Sequence, residues 1–286
     1  MLTKILIIGG SGMIGNTLLR FFSKKKNFFV STTIRSPKLL GISDKFCNYQ
    51  LFTNINLENK EKINEVFNKV RPDVVINCAG IIKHSNEAKD HLKVLFLNAY
   101  LPHYLAKLSE NFNARLIHFS TDCVFSGAKG NYNENDLPDA LDLYGRSKLL
   151  GEINYPNTIT LRTALVGHEL NSAKNLIEWF LNQNSKIKGY DKVIFSGLTT
   201  YEVAKIIDKY IIPNKKLEGL YHLSSKPISK YALLSLVKNI YKKSISIIKD
   251  HSLKIDRSLN SSRFCKVTNY VLKSWDLMIE EMKEFK

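Results

Sequence analysis

The sequence predicts an α/β protein built on a doubly wound parallel sheet, with a smaller α/β part toward its C-terminal end. Short apolar runs alternate with stretches of helical periodicity from the start of the chain to about residue 167. The short connections between them favour parallel strands with helices on both faces. The chain has 286 residues, of which 44% are hydrophobic, so it can bury a large core.

The first part of the chain predicts five strands, at KILIIGG, FFVSTTI, PDVVINCAG, ARLIHFSTD and TITLRTALVG. Each is a mainly apolar run that ends in glycine or polar residues, as is typical of buried parallel strands. Segments with apolar residues at helical spacing lie between them: MIGNTLLRFFSKK, KEKINEVFNKV, HLKVLFLNAYLPHYLAKLSEN and LYGRSKLLGEIN. We therefore expect one domain over residues 1–167.

The pattern loosens after Val166. Helices are predicted at NLIEWFLNQN, TYEVAKIIDKYI, KYALLSLVKNIYKK and VLKSWDLMIEEMKEFK, and strands at KVIFSG, GLYHLSS and ISIIKD. No repeat, low-complexity tract or Pro/Gly linker separates this part from the first. We expect residues 168–286 mainly to bind substrate, with 190–225 packing back onto the first domain.

Composition narrows the class of protein. No apolar stretch approaches the length of a membrane span, and the apolar start ends in glycines with no cleavage site after it. We interpret that start as a first strand and not as an export signal. The four cysteines are scattered, which is typical of a reducing cytosol, so we expect a cytoplasmic protein. They are Cys47, Cys78, Cys123 and Cys265.

The formal net charge of +16 raises the question of an anionic partner, such as nucleic acid, a membrane surface or a phosphorylated substrate. The lysines are spread along the chain apart from the short run 24–26, and no basic helix or arginine-rich arm is present. We attribute the charge to compositional bias, with attraction of an anionic small molecule as a secondary effect. We predict neither nucleic-acid binding nor membrane insertion.

The segment GGSGMIG lies between the first predicted strand and the first predicted helix. Its glycines Gly9, Gly12 and Gly15 have the spacing that allows a tight turn, close approach to a pyrophosphate and close helix–strand packing. The helix start at Met13 and Ile14 offers free N–H groups to the anion. No GK[ST] follows, which disfavours a P-loop. The segment predicts a Rossmann-type dinucleotide site.

The end of the second strand indicates which dinucleotide binds. A site for NAD would place an acid there to hold the ribose 2′-hydroxyl, but this strand ends in Arg35 and Ser36. A guanidinium matches a phosphate, and a carboxylate would repel one. We therefore predict NADP(H).

Tyr144 and Lys148 are four residues apart in a predicted helix, so their side chains share a face. We expect the lysine ammonium to lower the tyrosine pKa from about 10. Such a tyrosine can give a proton to a carbonyl oxygen while a hydride reaches the carbon. Thr121 lies at the end of an apolar strand, where ligands bind in open α/β sheets, and can hydrogen-bond that carbonyl.

Together these features resemble the extended short-chain dehydrogenase/reductases. The resemblance also includes the strand INCAG with Cys78, Ala79 and Gly80, and Asn98 in FLNAYLP. More narrowly, STDCVFSG followed by YGRSKLLGE is similar to the dTDP-4-dehydrorhamnose reductase group, which carries STDYVFDG and YGxTKLxGE. The resemblance covers nearly the whole chain, most strongly residues 1–167.

The resemblance implies roles for particular residues. Tyr144 would be the proton donor, with Lys148 as its electrostatic partner and ribose ligand. Thr121 would orient the carbonyl. Asp122 would orient substrate or assist, although it could also serve only as a turn or helix cap. The implied cofactor residues are Gly9, Gly12, Met13, Ile14, Gly15, Arg35, Ser36, Cys78, Ala79, Gly80, Asn98, Tyr144 and Lys148. The implied substrate residues are Thr121, Asp122, Cys123, Val124, Tyr144 and Arg257.

The chain also departs from the family pattern. Cys123 replaces the usual tyrosine, Ser258 replaces a proline after Arg257, and Asn56 stands where the family has an acid. The acids that hold a metal at the dimer interface of some relatives have no clear counterpart, so we predict no metal. His84, His103, His118 and His222 have no ligand-like spacing. A homodimer remains open.

Three functions follow from these features. The first is NADPH-dependent reduction of a nucleotide-linked 4-keto-6-deoxy sugar, which would supply surface polysaccharide synthesis. The second is epimerase or dehydratase chemistry of the same superfamily, which Asp122 keeps open. The third is a non-catalytic NADP-binding regulatory subunit, against which the intact set of Thr121, Tyr144 and Lys148 argues.

Overall fold

A computed structural model describes residues 2–36, 48–83, 85–170 and 175–286. Cys47 and His84, both named from the sequence, lie outside these ranges. Among the helices described, none combines the length and the apolar character needed to cross a lipid bilayer.

The described chain alternates between strands and helices, as the sequence predicts. The strands are β1 (Thr3–Ile8), β2 (Phe28–Thr33), β3 (Tyr49–Phe52), β4 (Val74–Asn77), β5 (Arg115–Thr121), β6 (Thr158–Thr163), β7 (Leu165–Val166), β8 (Ile187–Tyr190), β9 (Val193–Phe195), β10 (Leu198–Thr199), β11 (Gly219–His222), β12 (Ile228–Ser229), β13 (Ile247–Asp250) and β14 (Ile255–Asp256). The helices are α1 (Met13–Phe22), α2 (Lys60–Val70), α3 (His91–Leu95), α4 (Leu101–Asn111), α5 (Leu143–Leu150), α6 (Leu176–Leu181), α7 (Thr200–Ile206), α8 (Lys230–Ile240), α9 (Ser262–Thr268) and α10 (Trp275–Phe285).

Within the described residues, seven of the strands form one parallel sheet in the order β11-β6-β5-β4-β1-β2-β3. This confirms the predicted doubly wound Rossmann-type fold. The strand order reverses at β1, whose two neighbours are β2 and β4. Ligands of such sheets bind at the carboxyl ends of the strands beside this switch point. The glycine turn follows β1 at that position.

The two faces of the sheet support separate apolar cores. Ile5 and Ile7 of β1 join a core with helices α1, α7, α8 and α10, whereas Leu6 and Ile8 join a core with α2 and α4. Alternate residues of a strand point to opposite faces, so a fully apolar strand requires cover on both sides. All four of these side chains have 0% exposure.

Strands from the second half of the chain lie both in the main sheet and in small separate sheets. Strand β11 pairs with β6 in the main sheet. The remaining strands form small sheets, β12-β9-β14, β13-β8 and β10-β7. The division into a cofactor-binding domain and a substrate-binding region stays a prediction. Strand β3 was not predicted, because its sequence YQLF gives no clear apolar run.

A π-helical segment, Phe96–Tyr100, joins α3 to α4 and so continues the long helix predicted there. Pro102 explains the wider turn, because proline lacks the N–H that would bond to the carbonyl of Asn98. That carbonyl lies against Gly151, where any Cβ would overlap it. This close contact places the end of α5 directly against the π segment.

Candidate active site

The glycine turn has the geometry that a pyrophosphate cradle requires. Gly9 has φ +88°, which glycine adopts without strain. A Cβ on Gly15 would overlap the carbonyl oxygen of Gly9, so glycine is needed for α1 to approach β1 this closely. The nearest atom to a Cβ on Gly12 is 3.5 Å away, and this residue lines the cavity beyond the turn. Helix α1 then begins at Met13.

A cavity of about 140 Å³ lies beside the ends of β1, β2 and β4. Arg35 lines it, as the sequence predicts, together with two residues that sequence reasoning missed, Glu87 and Lys93. Glu87 Oε1 is 2.5 Å from both Arg35 Nη1 and Lys93 Nζ. Burial pushes the pKa of Glu87 up, but the hydrogen bonds from Lys93 and Arg35 bring it below its ordinary value. Two cations and one carboxylate therefore line this cavity.

A second cavity, of about 370 Å³, continues from the first. The two share Gly12 and residues 78–81, so a ligand can extend through both. The predicted cofactor residues Met13 and Ile14 also line the second cavity. Thr121, Asp122, Tyr144 and Lys148 line it too, so the structure brings the predicted catalytic residues together.

The start of α5 explains how Tyr144 reaches this cavity. Asp142 caps the helix by accepting a hydrogen bond from Gly145 N at 2.9 Å, so Tyr144 lies in the first turn. A Cβ on Gly145 would overlap the carbonyl oxygen of Cys123. This close packing against the turn after β5 brings Tyr144 within hydrogen-bonding reach of Thr121.

The expectation that Lys148 lowers the pKa of Tyr144 is wrong for this structure. Burial raises the pKa of Tyr144 above its ordinary value, and the hydrogen bond with Thr121 only partly opposes this. Lys148 Nζ donates instead to the carbonyl oxygen of Phe119 at 2.6 Å. Burial lowers the pKa of Lys148 to about 8, and the negative charge of Glu152 opposes that change.

Thr121 and Asp122 form one hydrogen-bonded unit at the end of β5. The Thr121 hydroxyl donates to Asp122 Oδ1 at 3.1 Å and accepts from Cys123 N at 3.1 Å. Burial raises the pKa of Asp122, although the charge of Arg257 and the hydrogen bond with Thr121 oppose the rise. Asp122 both begins a short 3₁₀ turn and faces the cavity, so the geometry is compatible with either role predicted for it.

A third cavity, of about 400 Å³, opens beyond Asp122 toward the C-terminal part. Cys123 and Arg257 line it, as predicted for substrate residues. Lys230 and the half-exposed Trp179 line it as well and were missed, because single residues in a predicted helix give no local signal. Arg257 Nε donates to the carbonyl oxygen of Phe125 at 2.8 Å, which fixes its guanidinium at the cavity wall.

Other predicted residues lie beneath the cavities. Val124 has 0% exposure in a small core with Phe125, so the prediction that it contacts substrate is wrong. Asn98 is also buried, and its carboxamide bonds to both N and O of Ile81, which holds the loop after β4. Ser36 is half-buried and, among the described residues, is absent from the linings of these three cavities.

The cysteines and histidines within the described ranges give no sign of a metal centre. No cluster of three or more His, Cys, Asp or Glu side chains that could hold an ion occurs there. Cys78 and Cys123 have free thiols, and burial raises the pKa of the Cys123 thiol to about 12. His118 is fully buried, and its Nδ1 lies 3.1 Å from Asn77 Nδ2.

A doubly wound sheet, a glycine cradle at its switch point and a tyrosine–lysine pair beside a strand-end threonine define a short-chain dehydrogenase/reductase, a class of oxidoreductases. Within that class, the chain belongs to the family described as the RmlD substrate binding domain, whose model matches residues 3–277.

Relatives agree with this membership at low identity. A protein of Aggregatibacter actinomycetemcomitans named dTDP-4-dehydrorhamnose reductase is 26% identical over 79% of this chain and 74% of its own length. Methionine adenosyltransferase 2 subunit beta of Danio rerio is 24% identical over 83% of this chain and 74% of its own. The crystal structure of dTDP-4-dehydrorhamnose reductase from Bacillus anthracis in complex with NADP superposes with TM-score 0.79 at 19% identity, covering 100% of both chains.

Proposed function

We propose that this protein is an NADPH-dependent reductase of a nucleotide-linked 4-keto-6-deoxy sugar. One observation carries the proposal. Tyr144, Lys148 and Thr121 line the middle one of three neighbouring cavities, between the glycine cradle and a cleft that contains Lys230 and Arg257. A reductase of a large anionic substrate needs this order, with cofactor on one side of the acid and substrate on the other.

The residues present fit a nicotinamide dinucleotide. The turn at Gly9 and Gly12 and the start of α1 would hold the pyrophosphate, since they leave the backbone open to an anion. Arg35 and Lys93 would hold the 2′-phosphate of NADP(H). Lys148 would donate a hydrogen bond to the nicotinamide ribose.

When bound, the dinucleotide would supply the hydride that reduces the keto carbon of the sugar. Tyr144 then gives its proton to the keto oxygen, and its raised pKa keeps it protonated at neutral pH. Thr121 would orient the same oxygen by turning its single hydroxyl proton toward it and away from Asp122 Oδ1. Lys148, held by its hydrogen bond to the carbonyl oxygen of Phe119, lines the same cavity as the phenol.

The third cavity suits the nucleotide part of the substrate. Lys230 and Arg257 offer two positive charges for a diphosphate, with the neighbouring Trp179 as an aromatic surface for a ring. Cys123 lies between this cleft and Thr121, where the sugar would be held. Both the cofactor and the substrate are anionic, which agrees with the net charge of +16.

The proposal is tested by incubating the protein with NADPH and a panel of nucleotide 4-keto sugars while the absorbance of the reduced nicotinamide is followed. We expect one NADPH to be consumed for each sugar reduced, and slower consumption with NADH. Product formed without net oxidation of NADPH would replace the proposal with epimerase or dehydratase chemistry, for which Asp122 beside Thr121 is the residue of interest.

A second candidate is a non-catalytic NADP-binding regulatory subunit. The similarity to methionine adenosyltransferase 2 subunit beta favours it, because that relative is named as a subunit of another enzyme. The arrangement of Thr121, Tyr144 and Lys148 around one cavity argues for turnover instead. Tight NADPH binding with no consumption on any sugar of the panel would favour the regulatory role.

A further inference from the structure

The cofactor cavity contains a carboxylate that does not come from the second strand. A site for NAD places an acid at the end of that strand, against the ribose 2′-hydroxyl, where this chain has Arg35. Glu87 reaches the same cavity from another segment, the 3₁₀ turn Asn86–Lys89 that follows β4. The cavity therefore combines the basic group expected for NADP(H) with the acidic group expected for NAD(H).

Hydrogen bonds hold Glu87 and Lys93 on one short segment beside this cavity. The Glu87 carbonyl oxygen accepts from Asp90 N at 3.1 Å, which closes the turn. The Asp90 carboxylate in turn accepts from Lys93 N at 3.1 Å, which caps α3. Asn98 fixes the loop after β4 through N and O of Ile81. The two charged side chains therefore enter the cavity from a backbone that is already tied down.

The two oxygens of the Glu87 carboxylate are engaged unequally. Oε1 lies 2.5 Å from both Arg35 Nη1 and Lys93 Nζ, whereas Oε2 has only a longer contact of 3.4 Å with Arg35 Nη2 among the described residues. The exposed fraction of the Glu87 side chain is 34%. Since each carboxylate oxygen can accept more than one hydrogen bond, Oε2 can still accept one from a hydroxyl group of a ligand in the cavity.

The charges in this cavity act differently on the two cofactors. Arg35 and Lys93 carry two positive charges, and Glu87, which accepts hydrogen bonds from both, carries one negative charge. A 2′-phosphate is attracted to the two cations but repelled by the carboxylate, with which it competes for them. A ribose 2′-hydroxyl is neutral and can donate to the carboxylate. Glu87 therefore opposes the binding of one cofactor and favours that of the other.

We propose that Glu87 sets the cofactor selectivity of this cavity. It accepts a hydrogen bond from the adenosine ribose 2′-hydroxyl of NADH, and it competes with the 2′-phosphate of NADPH for Arg35 and Lys93. The cavity then takes both cofactors, with NADPH preferred because two cations face one carboxylate. The inference deepens the proposed function and rests on it, because it takes this cavity to hold the adenosine end of the cofactor.

The test measures the binding of NADPH and of NADH to wild type and to Glu87→Gln by nicotinamide fluorescence, without any sugar. Glutamine keeps the size of the side chain and removes its charge. Glu87→Gln should bind NADPH at least about threefold more tightly, because a like charge has been removed from a partly exposed site. It should bind NADH roughly tenfold more weakly, because the 2′-hydroxyl has lost a charged acceptor.

Two further variants serve as controls. Glu87→Asp keeps the negative charge and should bind NADPH no more tightly than wild type does. Glu65→Gln removes a carboxylate from an exposed ion pair with Lys62 on α2, outside the cavity lining, and should bind both cofactors as wild type does.

A fragment of the cofactor locates the effect. Adenosine 2′,5′-bisphosphate carries the adenosine end and the 2′-phosphate of NADPH without the nicotinamide, and its binding is measured by calorimetry. Glu87→Gln should bind this fragment more tightly by about the same factor as NADPH. A gain for NADPH without a gain for the fragment would place the effect elsewhere and overturn the inference.

The opposite signs expected for the two cofactors separate selectivity from a structural role. If Glu87 only held its turn in place, Glu87→Gln would weaken the binding of both cofactors together, and that result would overturn the inference. Unchanged affinities for both cofactors would overturn it as well. Because these measurements need no sugar, a failure of sugar turnover would count against the proposed function and leave this test in force.

Discussion

Lys148 Nζ donates a hydrogen bond to the carbonyl oxygen of Phe119 at 2.6 Å, which ties helix α5 to strand β5 beneath the cavity. Spacing along a helix predicted a lysine that acts directly on the phenol of Tyr144. In the structure, burial governs both groups, raising the pKa of the tyrosine and lowering that of the lysine to about 8. The tyrosine is therefore a protonated phenol at neutral pH, which is the form that the proposed reduction requires.

Replacing Tyr144 by phenylalanine should remove the proton donor and preserve the cavity. We expect turnover with NADPH and a keto sugar to fall roughly 10²- to 10⁴-fold, the range over which a positioned acid contributes. NADPH binding, measured by fluorescence, should stay close to that of wild type. Tyr190→Phe, a half-exposed tyrosine on β8, is the control and should turn over normally. Wild-type rates in Tyr144→Phe would remove this residue from the mechanism.

The buried lysine makes a prediction about stability. The pKa of Lys148 is about 8 in the folded protein and 10.5 ordinarily. Between these two pH values the unfolded chain therefore keeps the lysine proton, whereas the folded protein has released it. The free energy of unfolding therefore gains about 3 kcal/mol from this group as pH rises from about 8 to about 10.5. Lys148→Met lacks this gain. Denaturant titrations of both proteins should show wild type gaining stability relative to the variant across that pH range, whereas a constant difference would contradict the assignment.

Two glycines of the cradle should respond differently to the same substitution. Gly15→Ala places a methyl group against the carbonyl oxygen of Gly9, so we expect it to destabilise the fold by ~1–3 kcal/mol. Gly12→Ala meets its nearest atom at 3.5 Å and should fold normally but bind NADPH weakly, because its methyl group enters the cofactor cavity. Thermal melts and NADPH titrations of both variants check this. A Gly15→Ala protein with wild-type stability would contradict the packing argument.

Cofactor preference should depend on Arg35. A hydrogen bond to a charged group contributes about 1.5–3 kcal/mol, so Arg35→Ala should weaken NADPH binding by roughly ten- to a hundredfold and leave NADH binding nearly unchanged. Glu87→Gln should strengthen NADPH binding, since it removes the carboxylate that competes for Arg35 and Lys93. Fluorescence titrations with both cofactors measure this, with Arg71→Ala at the exposed end of α2 as the control. An equal effect on both cofactors would argue against a 2′-phosphate site.

Much of the fold could be predicted because its signals are local. Strand β1, its glycine turn and helix α1 are adjacent in the chain, and each has its own pattern of apolar residues and glycines. The positions of Thr121 and Tyr144 also follow from local features, a strand end and a helix start. Their meeting could be predicted because the carboxyl ends of parallel strands lie along one edge of the sheet.

The contacts that tune the site could not be predicted, because they join residues far apart in the chain. Lys148 donates to the carbonyl oxygen of Phe119, which is 29 residues away. Arg35 and Lys93 both contact the carboxylate of Glu87, which is 52 residues from Arg35. Val124 was misplaced because Asp122 and Cys123 before it line the cleft, whereas its own side chain turns into a core with Phe125. Burial of this kind depends on the whole fold and leaves no pattern in a short stretch of sequence.

The most direct test of the proposed reductase follows the hydride itself. The protein is incubated with a nucleotide 4-keto sugar and NADPH in which deuterium replaces both hydrogens of the nicotinamide carbon that donates the hydride. The sugar product is then examined by mass spectrometry. We expect one deuterium bound to carbon in each molecule of product. Tyr144→Phe in a parallel reaction should form this deuterated product only at its low residual rate. A product without deuterium, or no product from any sugar despite tight NADPH binding, would contradict the proposed function.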